Sequence, residues 1–203
     1  MDEIAQFVAD LSTAVIGTTV NPYRSDHQVV TLDQPDAAVA RRTNLYEYLQ
    51  SRTRPRLMLV GEAPGYRGCR FSGIAFTSER SLPIGRWSSL HPSGWREASA
   101  TIVHGALADT RLEEQTVLWN AVPHHPAGPH SLSNRTPTRQ ELVVGLEWLE
   151  RLVAILQPQL IVAIGRSAKS LLPEAVMLRH PANGGASLFR QGLAELAQTM
   201  EER

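Results

Sequence analysis

The sequence predicts a three-layer α/β/α sandwich around a mostly parallel four-stranded sheet. Three observations carry this. Four short, largely apolar runs, at Leu57–Val60, Thr116–Val122, Leu160–Ile164 and Ala175–Leu178, each break into turn or polar residues, as buried strands do. Segments with helical spacing separate them, and strand–helix alternation favours parallel pairing with helices on both faces. No repeat, low-complexity tract or linker divides the 203 residues, a length that suits one domain with a sizeable core. Its N-terminal part, to about residue 55, reads as helical.

In chain order, residues 2–15 place Ile4, Phe7, Val8, Leu11 and Val15 at helical spacing, and residues 16–35, with Gly17, Pro22 and Pro35, read as an irregular connection. Asp36–Gln50 is a second helix with Val39, Leu45, Tyr46 and Leu49 on one side, stopped before Pro55. The first strand, Leu57–Val60, breaks into Gly61-Glu62-Ala63-Pro64-Gly65. Ser78–Gly94 has no period and reads as a long loop, the kind that usually carries function. Trp95–Leu107 has helical spacing and the second strand, Thr116–Val122, follows. Pro123–Pro137 is loop, and Thr138 with Glu141 forms a capping-box signature opening a helix to Leu156. Pro158 ends it. The third strand turns at Gly165-Arg166-Ser167 into a short helix through Leu172, and the fourth runs into His180-Pro181 and Asn183-Gly184-Gly185. A last helix starts at Ser187.

Composition narrows the class. The net charge is zero, from 20 positive and 20 negative side chains, which is not the signature of a protein that coats nucleic acid nonspecifically. Lys169 is the sole lysine, an arginine bias that fits GC-rich coding better than phosphate recognition. Cys69 is the only cysteine, so an intramolecular disulfide is excluded and a reducing cytosol is the expected compartment. No apolar run is long enough to span a bilayer, and the acidic start lacks the basic region of a signal peptide. Neither a membrane nor export is expected.

Parallel strands place their ends on one rim, where open α/β sheets bind ligands. That rim would gather Glu62 after the first strand, Asn120 within the second, Arg166 and Ser167 after the third and His180 after the fourth. An amide offers a donor and an acceptor together, as a base edge requires. An imidazole can stabilise charge on a leaving oxygen, and a carboxylate can orient a water. Phe76, in a Gly-containing loop, is either a packing plug or a platform for a flat ligand.

Gly61-Glu62-Ala63-Pro64-Gly65 followed by Gly73-x-x-Phe76 resembles the first motif of the uracil-DNA glycosylase superfamily, in the class written GEAPG. The resemblance covers roughly Leu57 to Phe189 with four short motifs in order. It implies a monofunctional glycosylase that needs no cofactor or metal and acts on DNA carrying a damaged base, releasing the free base, as a cytosolic monomer. It implies Glu62 and His180 as catalytic residues, with His180 bonding the base carbonyl as negative charge builds there. Gly61, Ala63, Phe76 and Asn120 would bind the base, Phe76 by stacking and Asn120 by reading its edge. Gly65, Arg166, Ser167 and Asn183 would contact the DNA backbone. Three departures stand out. Iron-sulfur members of the class carry four cysteines, so no cluster is expected here. No bulky wedge directly follows His180, leaving Asn183, Leu188 or Arg190 for that task. Gly65 stands where some uracil enzymes have a thymine-excluding tyrosine, which leaves the base open among uracil, a mismatched base and a deaminated purine.

Plainer readings sit beside these. Glu62 could only close its loop, Asn120 could be a turn-former, and Arg166-Ser167 could be a simple helix cap. The same fold could bind DNA without cleaving it, or hydrolyse a free nucleoside; the latter predicts no basic groove beside the cleft. His91-Pro92-Ser93 mimics the second motif but precedes the second strand. His124-His125 has no third ligand at recognisable spacing and reads as structural. Cys69 has no histidine partner nearby in sequence, against a catalytic thiol.

Overall fold

The computed structural model describes residues 2–25, 32–130 and 132–202. Residues 26–31, within the connection expected over 16–35, lie outside the described residues. The strands β1 (Leu57–Gly61), β2 (Thr116–Asn120), β3 (Leu160–Ile164) and β4 (Val176–Leu178) form one sheet in the order β2-β1-β3-β4. Every pairing is parallel.

Successive side chains on a strand face opposite ways, and here the alternation sorts residues into two cores. Met58, Val60, Val117 and Trp119 pack on one face with helices α1 (Glu3–Thr13), α2 (Ala37–Gln50) and α5 (Arg139–Leu156). Leu57, Leu59, Leu118 and Val162 pack on the other with α4 (Ala98–Asp109) and α7 (Ala186–Glu201). Each fully buried aliphatic contributes about 1.5–3 kcal/mol. The three-layer expectation therefore holds, with α6 (Gly165–Leu171) joining β3 to β4 and an unanticipated single turn, α3 (Cys69–Ser72), after the β1 loop.

Several boundaries move for identifiable reasons. Helix α1, capped by Asp2 accepting from the Ile4 N–H at 3.2 Å, stops at Thr13 and leaves Val15 exposed. On α2 Val39 faces solvent, and the inward side includes Arg41, which is 2% exposed. Arg41 pairs with Asp33 at 2.6 Å and donates to Ser88 Oγ at 2.9 Å and the Pro22 carbonyl at 3.1 Å. Tertiary hydrogen bonds thus override the apolar spacing. Helix α4 starts at Ala98 rather than Trp95, because the Trp95 carbonyl is taken by the Arg80 N–H at 3.2 Å and the Glu97 backbone is extended. Strand β2 ends at Asn120 rather than Val122. Beyond it the Ala121 and Val122 N–H groups donate to the Gly61 and Glu62 carbonyls at 2.8 and 2.9 Å.

The loop over Ser78–Gly94 is irregular as expected, with two short 3-10 turns. Glu79, with no exposed surface, anchors it. Its carboxylate accepts from the Ser88 N–H at 2.7 Å and the Ser89 N–H at 2.8 Å, besides Trp95. No helix among the described residues is long and apolar enough to cross a membrane.

The capping box at α5 is formed: Thr138 Oγ1 accepts from the Glu141 N–H at 3.2 Å, and Glu141 Oε2 from the Thr138 N–H at 2.8 Å. Glu141 also accepts from both Arg135 guanidinium nitrogens at 2.6 and 2.7 Å and from the Thr18 N–H at 3.1 Å. The Arg135 guanidinium, helped by these amides, pulls its carboxyl down to about 2. A depressed carboxyl stabilises the fold above its unfolded-state value and loses that contribution as pH falls toward the folded value. Stability should therefore fall between about pH 4.5 and pH 2. Urea unfolding across that window should show a smaller loss of stability in Glu141→Gln, which starts less stable at pH 7.

Candidate active site

Adjacent β1 and β2 feed helices on opposite faces: β1 leads through the loop to α4, β2 to α5. Such a divergence opens a crevice at the carboxyl ends. The parallel register sets Gly61 directly beside Asn120 there. A cavity of about 500 Å³ lies at this rim, lined by Glu62, Phe76, Asn120, Arg166 and His180 among others. Its volume is in the range of small-molecule sites.

Gly61 is required by a close approach. A Cβ on it would lie 2.5 Å from Phe76 Cζ and 2.9 Å from Asn120 Oδ1. Phe76 is held over it in the left-handed region, at φ 48°, and is 6% exposed. Residues in such conformations persist where surroundings over-determine them, and they cluster at functional sites. Phe76 belongs to the core on the α4 and α7 face and also lines the cavity; it is plug and wall at once. Asn120 is 5% exposed and lines the cavity, and its side-chain amide makes no hydrogen bond to any described residue. Buried amides are ordinarily satisfied, so this one is free for a ligand with a paired donor and acceptor.

His180 follows β4 and faces Phe76 with ring centroids 6.3 Å apart. Its Nδ1 accepts from the Ala182 N–H at 3.1 Å. That bond puts the proton of the neutral ring on Nε2, leaving Nε2–H as a donor. Burial, with the Arg179 guanidinium second, holds the imidazole below the usual histidine range, so it is neutral at pH 7. The turn that presents it depends on Gly185, where a Cβ would fall 2.0 Å from the His180 carbonyl oxygen.

The loop carrying Glu62 is tied down at several points. Besides the bonds from Ala121 and Val122, His125 Nδ1 lies 2.8 Å from the Pro64 carbonyl, and the Tyr66 N–H donates to Asn134 Oδ1 at 2.9 Å. Burial pushes the His125 imidazole down to about 4, so it is a neutral donor to Pro64. His124 and His125 are fully buried, which agrees with a structural role. Among the described residues no group of three or more His, Cys, Asp or Glu is placed to hold a metal. The Cys69 thiol is pushed up to about 12, by burial first and the Glu97 carboxyl second, and is not a nucleophile at neutral pH.

Of the residues expected at the site, Glu62, Ala63, Gly65, Phe76, Asn120, Arg166, Ser167 and His180 line one cavity, with Gly61 behind Phe76. Asn183 does not line it; at φ 53° it forms the turn after His180. A Cβ on Gly65 would meet nothing within 4 Å, so a side chain there has open space. Sequence reasoning missed Asn134 and Glu97, which also line the cavity. No local pattern marks either. A second depression of about 320 Å³ adjoins, sharing Arg67 and Arg96 and adding Arg80, His91 and Trp95. The decoy His91-Pro92-Ser93 sits there, its imidazole 4.7 Å from the Trp95 ring.

The sequence profile described as "Uracil DNA glycosylase superfamily" matches residues 49–199. Among solved structures, the crystal structure of wild-type Pedobacter heparinus SMUG2 is similar. It is 13% identical, with a TM-score of 0.71, and the match covers 100% of this chain and 98% of that one. No curated protein sequence matches.

The geometry predicts that Gly61→Ala drives Phe76 and the Asn120 amide off their positions. Urea unfolding should show a folded protein destabilised by about 1–3 kcal/mol. Near-UV circular dichroism should report the altered aromatic packing.

Proposed function

The chain belongs to the uracil DNA glycosylase superfamily, and we propose that it is a monofunctional DNA glycosylase that excises a deaminated base, uracil first, acting as a cytosolic monomer. The observation that carries this reading is the buried, unbonded Asn120 amide beside Phe76, within one cavity with His180 and Glu62. An amide edge and an aromatic face are what recognition of a flat, hydrogen-bonding base needs.

The steps follow from the groups present. The nucleotide is extruded at a cost of a few kcal/mol. Its base lies against Phe76 and pairs its edge with the Asn120 amide. The bond from base to deoxyribose breaks toward an oxocarbenium-like sugar, and the electron pair leaves with the base as an anion. His180 Nε2–H donates to the carbonyl oxygen on which that charge gathers, worth about 3–4 kcal/mol for a positioned donor. Glu62 orients the water whose oxygen bonds to the sugar, and the proton that water loses balances the anion's eventual protonation.

The neighbouring depression favours a polymer over a free nucleoside. Arg67, Arg80 and Arg96 make no ion pair with any described acid, and they sit with His91 beside the cleft. Other arginines do pair with acids, as Arg41 with Asp33 and Arg151 with Asp10, but Arg67, Arg80 and Arg96 share one depression. Unpaired guanidiniums beside a base cleft suit backbone phosphates, despite the zero net charge.

In single-turnover excision on oligonucleotides carrying uracil, hypoxanthine, xanthine or thymine, at least one lesion is cleaved, and His180→Ala lowers the rate about 10²–10³-fold. Asn120→Ala should lose discrimination among the bases. Retention of lesion DNA without excision, from folded protein, would instead support a binding module. Separately, Arg80→Ala should weaken binding about equally for damaged and undamaged DNA and reduce the salt slope by about 1, measured by fluorescence anisotropy across salt concentrations.

A further inference from the structure

Glu97 lines the cavity and has no part in the steps above. It stands immediately before α4, but its side chain does not cap that helix. Its backbone is fixed instead: the Glu97 N–H donates to Ser78 Oγ at 2.9 Å, and Ser78 Oγ donates to the Glu97 carbonyl at 3.3 Å. Ser78 adjoins Glu79, the anchor of the long loop. The Glu97 carboxyl is thereby turned against Gly68, on the loop that follows the first motif. A Cβ on Gly68 would lie 1.7 Å from Glu97 Oε2 and 2.5 Å from Cδ, so the glycine makes room for the acid. Although the residue as a whole is half-buried, Oε2 is sealed from solvent and has no hydrogen-bond partner. An unmade bond of this kind costs about 1–3 kcal/mol, and least when Oε2 is the carbonyl oxygen of a protonated carboxyl, which leaves the O–H on the other oxygen.

We propose that Glu97 is a second recognition residue of the cleft, donating a hydrogen bond from its carboxyl to a carbonyl oxygen of the extruded, uncharged base. The inference rests on the glycosylase reading and adds to it a contact independent of Asn120 and His180. Burial alone pushes this carboxyl up to about 7, so near neutrality a large fraction carries its proton and offers a donor. Buried carboxylic acids kept neutral serve other active sites in this way. The charged and titratable groups that line the cavity with it are Glu62, Tyr66, Arg67, Cys69 on α3, Arg96, Arg166 and His180. None of them makes a hydrogen bond or ion pair with the Glu97 carboxyl among the described residues. A phosphate would be a poor occupant once the acid ionises, whereas a base carbonyl suits the neutral form.

The test uses the full chain, with free uracil and free xanthine as binding probes and the oligonucleotide panel as substrate, from pH 5.5 to about 8.5. The donor exists below about pH 7. Affinity for the preferred base and kcat/KM on its DNA should therefore fall as pH rises through that value. Glu97→Gln keeps a donor that does not titrate, so it should retain activity and lose this alkaline limb. Glu97→Ala should lose about tenfold or more in base affinity at pH 6, with affinity for undamaged DNA unchanged. Thermal unfolding checks that both variants are folded. Wild-type-like affinity and an unchanged alkaline limb in folded Glu97→Ala and Glu97→Gln would overturn the inference while leaving the glycosylase reading intact. If the wild type neither binds a base nor excises one, both fall together.

Discussion

The structure depends on one close approach: the Phe76 ring pressed onto the α-carbon of Gly61, beside Asn120 on the neighbouring strand. No residue with a side chain fits at Gly61 without moving one of the two. The parallel register brings the glycine and the amide level, and the left-handed backbone at Phe76 brings the ring over them. A flat surface and an amide edge therefore meet at the carboxyl end of the sheet. The two hydrophobic cores hold the strands in that register, so strand pairing fixes Gly61 and Asn120 while the loop backbone at Phe76 supplies the ring.

Around this centre, polar groups fix what the cores cannot. Glu79 gathers the N–H groups of Ser88, Ser89 and Trp95 and gives the long loop its path. Glu141 ties Thr18, Arg135 and the start of α5 together. His125 and Asn134 hold the loop of Glu62 from behind. All but the Arg135–Glu141 pair satisfy a backbone group that a loop would otherwise give to water, and Glu62, Glu97 and His180 line a single cavity. The adjoining depression gathers Arg67, Arg80 and Arg96, none of which makes an ion pair with a described acid, beside the cavity.

The sheet and the convergence of its strand ends were legible because both follow from short apolar runs and the turns after them. Glu62, Asn120 and His180 could be placed on one rim by topology alone, whereas the roles proposed for them came from the resemblance and not from the pattern. Other features had no local signal. The left-handed backbone at Phe76 is unusual for a residue with a side chain and is set by what surrounds it. The inward face of α2 turned on Arg41, which pairs with Asp33 in a connection that has no periodicity. Glu97 was hidden inside a segment expected to be helical from Trp95, and its burial depends on Gly68, far off in sequence. The role of His125 was readable only as structural, because the Pro64 carbonyl it holds becomes its neighbour only on folding.

The central claim is that the Asn120 amide, which makes no hydrogen bond to any described residue, reads a base beside Phe76. The most direct measurement is the side-chain amide resonance of Asn120 in a 15N-labelled protein titrated with free uracil, with the backbone amides of Gly61 and Phe76 as companions. The account predicts a saturable shift of the Asn120 side-chain pair, together with ring-current shifts at Gly61, all abolished in Asn120→Ala. An Asn120 resonance that stays still while uracil perturbs some other region, or that shows the slow exchange of an already bonded amide before any ligand is added, would contradict it.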